Sequence, residues 1–167
     1  MISERANSAL VIRPAEPAEA ETVAALHERA RSTYYPGGPP PADFDWTDSW
    51  RASIERPDGR VLCGVQDGRI VAVASFRTPE GAPPEKVKLF QFHVDPDHWR
   101  AGIGTALHAA CVEHWLADGK RVAVLDVHVG NKRAQDFYAR RGWVPDPENP
   151  PAEGDHHLFL RWSAPGE

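Results

Sequence analysis

Two stretches of the sequence concentrate residue types that can do chemistry. The first, Leu89 to Thr105 (LFQFHVDPDHWRAGIGT), is an apolar, β-prone run that stops at Asp95-Pro96. After a short polar segment it opens a helix at Gly102-Ile103-Gly104. Glycines at a helix start let a ligand approach the backbone closely, and the first amides of a helix have no partner inside it. Together with the positive end of the helix dipole, those amides predict a phosphate site, to which Thr105 can add a hydroxyl. The second stretch, Leu125 to Trp143 (LDVHVGNKRAQDFYARRGW), ends a strand and begins a helix near Asn131 that stops at Gly142. Asn131, Ala134 and Tyr138 follow three- and four-residue steps, which puts an amide and a phenol on one helix face.

A dinucleotide-binding unit is one reading of Gly102-x-Gly104, with Asp126 at the end of the next strand as the ribose-binding acid of a Rossmann fold. Three features count against it. The third glycine position holds Leu107, and Asp95 to Ala101 separate the strand from the glycines. The hairpins upstream also leave no room for a doubly wound sheet.

The elements that must position these residues alternate along the chain. Ala9 to Arg13 is a short strand, and Pro17 suits the first position of a helix carrying Val23, Leu26 and Ala30 on one stripe. Trp46, Trp50 and Ile54 recur every four residues and predict a second, short helix. Val61 to Val65 and Ile70 to Phe76 flank Gln66-Asp67-Gly68, a strong hairpin signal. Val87 to Val94 is a strand, Gly102 to Ala117 a helix stopped by Asp118-Gly119, and Val122 to Val127 a strand. A helix over Asn131 to Arg141 and a strand over His157 to Trp162 close the series. The order β-α-α-β-β-β-α-β-α-β predicts an α/β (α+β) fold whose sheet is antiparallel at first and mixed later. Proline clusters at Pro36 to Pro41, Pro79 to Pro84 and Pro145 to Pro151 read as loops rather than linkers.

Composition bounds the function. Residues 1–167 have the size of one domain, with 41% hydrophobic residues. Such a chain can bury roughly 70% of its unfolded surface, and needs neither disulfides nor a structural metal. Lys and Arg number 19 against 24 Asp and Glu, a formal net charge of −5, with no basic block beyond pairs such as Lys132-Arg133 and Arg140-Arg141. A nucleic acid or an anionic membrane held by counterion release is therefore not an expected partner. Cys63 and Cys111 follow no ligand spacing and read as buried thiols of a reducing compartment. Ile70 to Ala74 is the longest apolar run, far short of the ~20 residues of a membrane span. Ala9 to Ile12 is too short for a secretory segment, so a cytoplasmic location is expected.

The two chemical stretches resemble the acyl-CoA-binding signatures of the GNAT N-acetyltransferase superfamily. The first is similar to that family's strand, turn and R/Q-x-x-G-x-G/A helix start, with Trp99 standing in the R/Q slot and Arg100 beside it. The second matches L-x-V-x-x-x-N-x-x-A-x-x-F-Y-x-x-x-G-[FW] from Leu125 to Trp143, and VIRPAEPAEAETVAALHERA resembles the family's first strand and helix. The resemblance implies a mixed central sheet in which a splayed parallel strand pair binds the coenzyme. It implies acetyl-CoA as co-substrate, no metal, and direct transfer to a primary amine of a small molecule or peptide. The pantetheine arm would pair with the strand at Phe92 to Val94. The pyrophosphate would rest on the amides of Arg100, Ala101, Gly102, Ile103, Gly104 and Thr105. Asn131 would reach the cofactor arm, and Tyr138 would act as general acid to the departing sulfur. His93 is a candidate base, although strand alternation turns it away from the family's base positions, here Phe90 and Phe92, unless a bulge re-aims it. A water relay without a dedicated side-chain base is the default. His128, His156 and His157 read as surface or substrate-rim residues, and Tyr34, Tyr35, Trp46 or Trp50 as acceptor-pocket walls. A catalytically silent acyl-CoA-binding or sensing domain is the alternative from another class. A homodimer is left open.

Overall fold

The β-branched and aromatic runs form seven strands, seen in a computed structural model that describes residues 9–34 and 46–166. They are β1 (Val11–Pro14), β2 (Gly59–Gln66), β3 (Arg69–Arg77), β4 (Lys86–Val94), β5 (Val122–His128), β6 (Val144–Pro145) and β7 (His157–Ser163). Their order in the sheet is β1-β2-β3-β4-β5-β7-β6. All neighbours are antiparallel except β4 and β5. The helices are α1 (Ala20–Arg31), α2 (Trp46–Glu55), α3 (Ile103–Ala117) and α4 (Lys132–Arg140).

Local chemistry sets these boundaries. Asp67 and Gly68 both adopt positive φ, 54° and 76°, which is the conformation a two-residue hairpin turn demands between β2 and β3. Pro17 opens a three-residue 3₁₀ turn, Pro17–Glu19, which runs into α1. Arg13 at the end of β1 grips Glu19 with two hydrogen bonds of 2.9 and 2.7 Å, tying that helix entry to the sheet. β1 starts two residues later and ends one residue later than its apolar run suggests, and includes Pro14, which an edge strand tolerates. The two-residue β6 carries no periodicity that a sequence could reveal. Tyr35 and the first proline cluster lie outside the described residues.

The sheet is covered on both faces. Val23, Ala24 and Leu26 of α1 and Trp50 of α2 pack on Val61 and Val73. On the other face Ile103, Leu107, Cys111 and Trp115 of α3 pack on Leu62, Ala72, Ala74, Val87, Leu89 and Leu125, with Tyr138 and Trp143 beside them. Both cysteines are free and buried. Burial pushes their thiols up to about 11 (Cys63) and about 12 (Cys111), so they behave as small apolar residues. Among the described residues no helix is long and apolar enough to cross a membrane.

One irregularity positions the site. Ser75 pairs with Gln91 and Phe76 with Leu89, so Phe90 is an extra residue on β4, a bulge. Before it, Val87 and Leu89 face α3. After it, Phe92 and Val94 do, while His93 faces α1. The bulge thus removes the alternation argument that set His93 apart from Phe90.

Leu107, fully buried under α3, tests this packing. Leu107→Ala is expected to destabilise the fold by about 2–5 kcal/mol, read from urea midpoints at unchanged slope. A loss under ~1 kcal/mol would mean that α3 is not anchored there.

Candidate active site

β4 and β5 pair only at Lys86–Val122, Val87–Ala123 and Lys88–Val124, and part beyond those rungs. From Leu89 to Val94, β4 keeps its ladder with β3 alone, so its edge toward β5 opens into a cleft. Two cavities meet in this cleft. The larger, about 590 Å³, runs past the start of α3 and along α4. The smaller, about 210 Å³, opens toward α1 and α2. Both are walled by Tyr34, Phe92, His93, Asn131, Ala134 and Tyr138.

The larger cavity has the character of an anion groove. Arg100 and Gly102 adopt positive φ, 72° and 80°, and curl the chain around the N-terminus of α3. The first loop amide of this helix to find a backbone acceptor is that of Ala106, which donates to the Gly102 carbonyl at 3.1 Å. Among the described residues no acceptor takes the amides from Ala101 to Thr105. The loop is pinned from behind. The Asp95 carboxylate accepts from the Asp97 amide (3.0 Å) and from Arg29 of α1 (2.9 Å). Burial alone would raise that carboxyl, but these two partners outweigh it and hold it below its usual value. Trp99, in the slot where arginine or glutamine was expected, donates its indole N–H to the Val94 carbonyl at 3.2 Å.

Four guanidiniums, those of Arg100, Arg133, Arg140 and Arg141, line this groove against the single carboxylate of Asp136. Arg133 lies over the Trp99 ring at 3.8 Å and Arg141 over Phe137 at 3.7 Å. Arg141 also donates to the Thr105 hydroxyl and to the Phe137 carbonyl. Partial burial and then Arg100 pull the Arg133 pKa down, while burial and Arg140 do the same to Arg141. An anion entering here would relieve that mutual repulsion.

Of the residues singled out from the sequence, Phe92, His93, Val94, Arg100, Gly102, Ile103, Gly104, Thr105, Asn131 and Tyr138 all line this groove. Ala101 is exposed and does not. Gly104 has a different reason to be glycine from the one expected. Its φ is ordinary, but a Cβ there would lie 3.1 Å from the Phe137 ring, so the missing side chain lets α3 and α4 approach. Gly102, at φ 80°, is the position where the backbone itself demands glycine. Asn131 caps α4 by accepting from the Ala134 amide at 3.1 Å, which leaves its NH₂ group to the cavities. The arginines of α4 were missed as site residues. Their signal was present in the helical spacing of Arg133, Phe137, Arg140 and Arg141.

Burial controls protonation in the cleft. The Tyr138 hydroxyl has no hydrogen-bond partner among the described residues, and burial, followed by Cys111 and Tyr34, raises its pKa well above that of an ordinary phenol. His93 is pushed down to about 4 by burial, and its Nε2 lies 2.8 Å from Gln91 Oε1. It stacks on His27 of α1 at 4.3 Å between ring centres. Trp50 donates to His27 Nδ1 at 3.1 Å, and burial, with His93 and Arg31, drives that ring down to about 2. His108, behind Phe137, accepts from Trp143 at 3.0 Å and is pushed down to about 4 by burial and Arg141. On the other wall of the smaller cavity, Asp126 meets His157 Nδ1 at 2.8 Å and Lys88 at 3.3 Å. Asp126 is therefore held by side chains of its own sheet face rather than set out toward the glycine turn.

Residues 23–143 match the acetyltransferase (GNAT) family. The chain belongs to the GNAT family. It is 30% identical over 101 residues to S-(2-succino)cysteine N-acetyltransferase of Bacillus subtilis, covering 58% of this chain and 61% of that protein. It is 41% identical over 101 residues to an uncharacterised N-acetyltransferase of Methanocaldococcus jannaschii, covering 59% of this chain and 44% of that protein. The match thus spans less than two thirds of these relatives. Among solved structures, the PaiA N-acetyltransferase of Thermoplasma acidophilum, in complex with coenzyme A, superposes with a TM-score of 0.75 at 16% identity, covering 93% of this chain and 99% of that one. The ribosomal-protein-S18-alanine N-acetyltransferase of Escherichia coli gives 0.71 at 21% identity, covering 95% and 97%. The GNAT fold, with its single parallel pair, removes the Rossmann alternative.

Two outcomes follow for this GNAT site. Gly104→Val must push Phe137 aside, so it should lose about 1–3 kcal/mol of stability as well as coenzyme A affinity. Weakened binding at an unchanged melting temperature would show that Phe137 yields freely. The three neutral imidazoles link stability to pH. Each binds a proton less readily folded than unfolded, so their contribution is complete above about pH 6.5 and falls as the pH drops toward about 4. Urea midpoints should decline between about pH 6.5 and 5, and a flat profile there would contradict neutral buried rings.

Proposed function

We propose that the chain transfers an acetyl group from acetyl-CoA to a primary amine of a small molecule or peptide. The observation that carries this reading is that Tyr138 and Asn131 stand in the wall shared by two cavities, one rich in unpaired amides and arginines, the other facing α1 and α2. A diphosphate fits the first cavity and an amine the second, and the two substrates would meet where β4 leaves β5. The names of these similar proteins include a small amino-acid acceptor and an alanine of a ribosomal protein, so both acceptor classes are retained.

Bound acetyl-CoA would supply the activated carbonyl and the leaving sulfur. The chain's residues do the rest. The amides of Gly102 to Thr105 and the guanidiniums of Arg100, Arg133, Arg140 and Arg141 hold the diphosphate region. The free edge of β4 at Phe92 to Val94 holds the extended arm, and a backbone amide there polarises the carbonyl. Asn131 offers its NH₂ group to the same arm. Tyr138 donates a hydrogen bond to the departing sulfur. With its pKa raised by burial, it passes its proton on only as it takes up the one that the amine nitrogen releases. His93, neutral and engaged with Gln91, lines the path without being a strong proton acceptor.

Thiol release with acetyl-CoA, screened over glycine, spermidine, glucosamine and an alanine-led tripeptide, tests the reading. Tyr138→Phe keeps the ring and should lower kcat by roughly 10–10³-fold, with KM for acetyl-CoA moving only a few fold. No high-pH limb should belong to this phenol, because its titration lies above the working range. Coenzyme A binding without thiol release on any amine would favour the silent-domain alternative.

A further inference from the structure

We propose that Asp126 and His157 form the acceptor-side base of this site, taking the proton from an incoming ammonium group. The proposal rests on the acetyltransferase reading above and assigns the proton acceptor that the reading lacks.

The sheet register brings the pair together. On β5, Ala123, Leu125 and Val127 face the α3 core, so Asp126 and His128 point to the face of α1 and α2. On β7, His157 lies opposite His128 and Phe159 opposite Asp126, and directly opposed residues of an antiparallel pair share a face. Asp126 and His157 thus project into the smaller cavity, which also reaches Tyr138, Phe92 and Asn131.

The chemistry of the pair suits a base. His157 Nδ1 is buried, and the Asp126 carboxylate lies 2.8 Å from it. The two groups are in contact without the alignment of a directed hydrogen bond, which a small turn of the imidazole would supply. A carboxylate at Nδ1 favours the tautomer with its proton there and leaves the Nε2 lone pair to accept. The His157 side chain is 39% exposed, so a captured proton can pass to water. His93 and His27 are shut into the core by comparison. The other charged or titratable groups around the cavity are Lys88 and His93 on β4, His128 on β5, Arg31 and His27 on α1, Tyr34 just after α1 and Tyr138 on α4, with His156 adjoining. The carboxylate also attracts the ammonium form of the acceptor, for which Lys88 at 3.3 Å is a stand-in.

The step balances. An N–H bond of the ammonium breaks and its proton goes to His157 Nε2, then to solvent. The freed lone pair forms the N–C bond while the C–S bond breaks. The nitrogen gives up a second proton, and the sulfur receives one through Tyr138. The products are amide, free thiol and one released proton.

The test compares two acceptors at neutral pH: the most active amine of the panel above, and hydroxylamine, which is already uncharged. His157→Gln is expected to lower kcat/KM for the amine by about 10²-fold or more, and for hydroxylamine by less than about threefold. Asp126→Asn should give an intermediate loss. In nitrogen-detected NMR it should move the neutral His157 proton from Nδ1 to Nε2, a readout independent of turnover. Coenzyme A affinity by calorimetry should be unchanged in both variants. Equal losses on both acceptors, or rates retained on the amine, would overturn the dyad alone. Absence of transfer to any amine by the parent protein would overturn the acetyltransferase reading and the dyad with it.

Discussion

Three rungs of parallel pairing, from Lys86 to Lys88 on β4, make up the ladder between the two halves of the sheet before the strands part. A backbone edge left unpaired inside a protein is costly unless something satisfies it. Here the cost is contained by geometry. Both strands are anchored on their outer sides, β4 by β3 and β5 by β7, so each keeps one full ladder while its inner edge stands open. That open edge can be completed by an extended chain with its own amides and carbonyls, which is the shape of a pantetheine arm in the proposed reaction.

The split also separates two electrostatic environments. Toward α3 and α4 the wall is cationic, with its amides turned outward and its arginines braced on Trp99 and Phe137. Toward α1 and α2 it carries Asp126 and a set of imidazoles. Between them stand Tyr34, Phe92, His93, Asn131, Ala134 and Tyr138, which put no charged side chain at the waist. A chain with a formal net charge of −5 therefore presents a local anion site that its overall balance conceals. Net charge argues against a partner held by counterion release, but it carries no information about a groove built from one helix face.

Much of this arrangement was legible in the sequence because it depends on local rules. Gly102 at a helix start, Asn131 at a cap and Asp67-Gly68 in a hairpin are each fixed by the φ angles or hydrogen bonds that those residues supply. The Leu89 to Thr105 and Leu125 to Trp143 stretches carried the family resemblance for the same reason. What stayed hidden depends on pairing between distant strands. The Phe90 bulge shifts the facing of every later β4 residue, and nothing in KVKLFQFHV marks it. The meeting of Asp126 with His157 requires the β5–β7 register, which joins residues far apart in the chain. Gly104 shows a third kind of limit. Its glycine was read as room for a ligand, whereas its nearest constraint is Phe137 on another helix.

Burial in the cleft keeps its central groups uncharged from both directions. It raises the phenol of Tyr138 and lowers the imidazole of His93, so both groups stay neutral in the wall that the two cavities share. That condition suits a reaction whose partners must both be neutral when they meet, a free amine and a thioester. In the proposed reaction charge would be confined to the two ends of the cleft, the diphosphate among the arginines and the ammonium near Asp126. The proton that separates an ammonium from a nucleophile is removed most easily before the nitrogen reaches the uncharged waist, where a cation is poorly solvated. A base belongs at the solvent end of the smaller cavity on that argument, and His157 is the half-exposed imidazole found there beside a carboxylate.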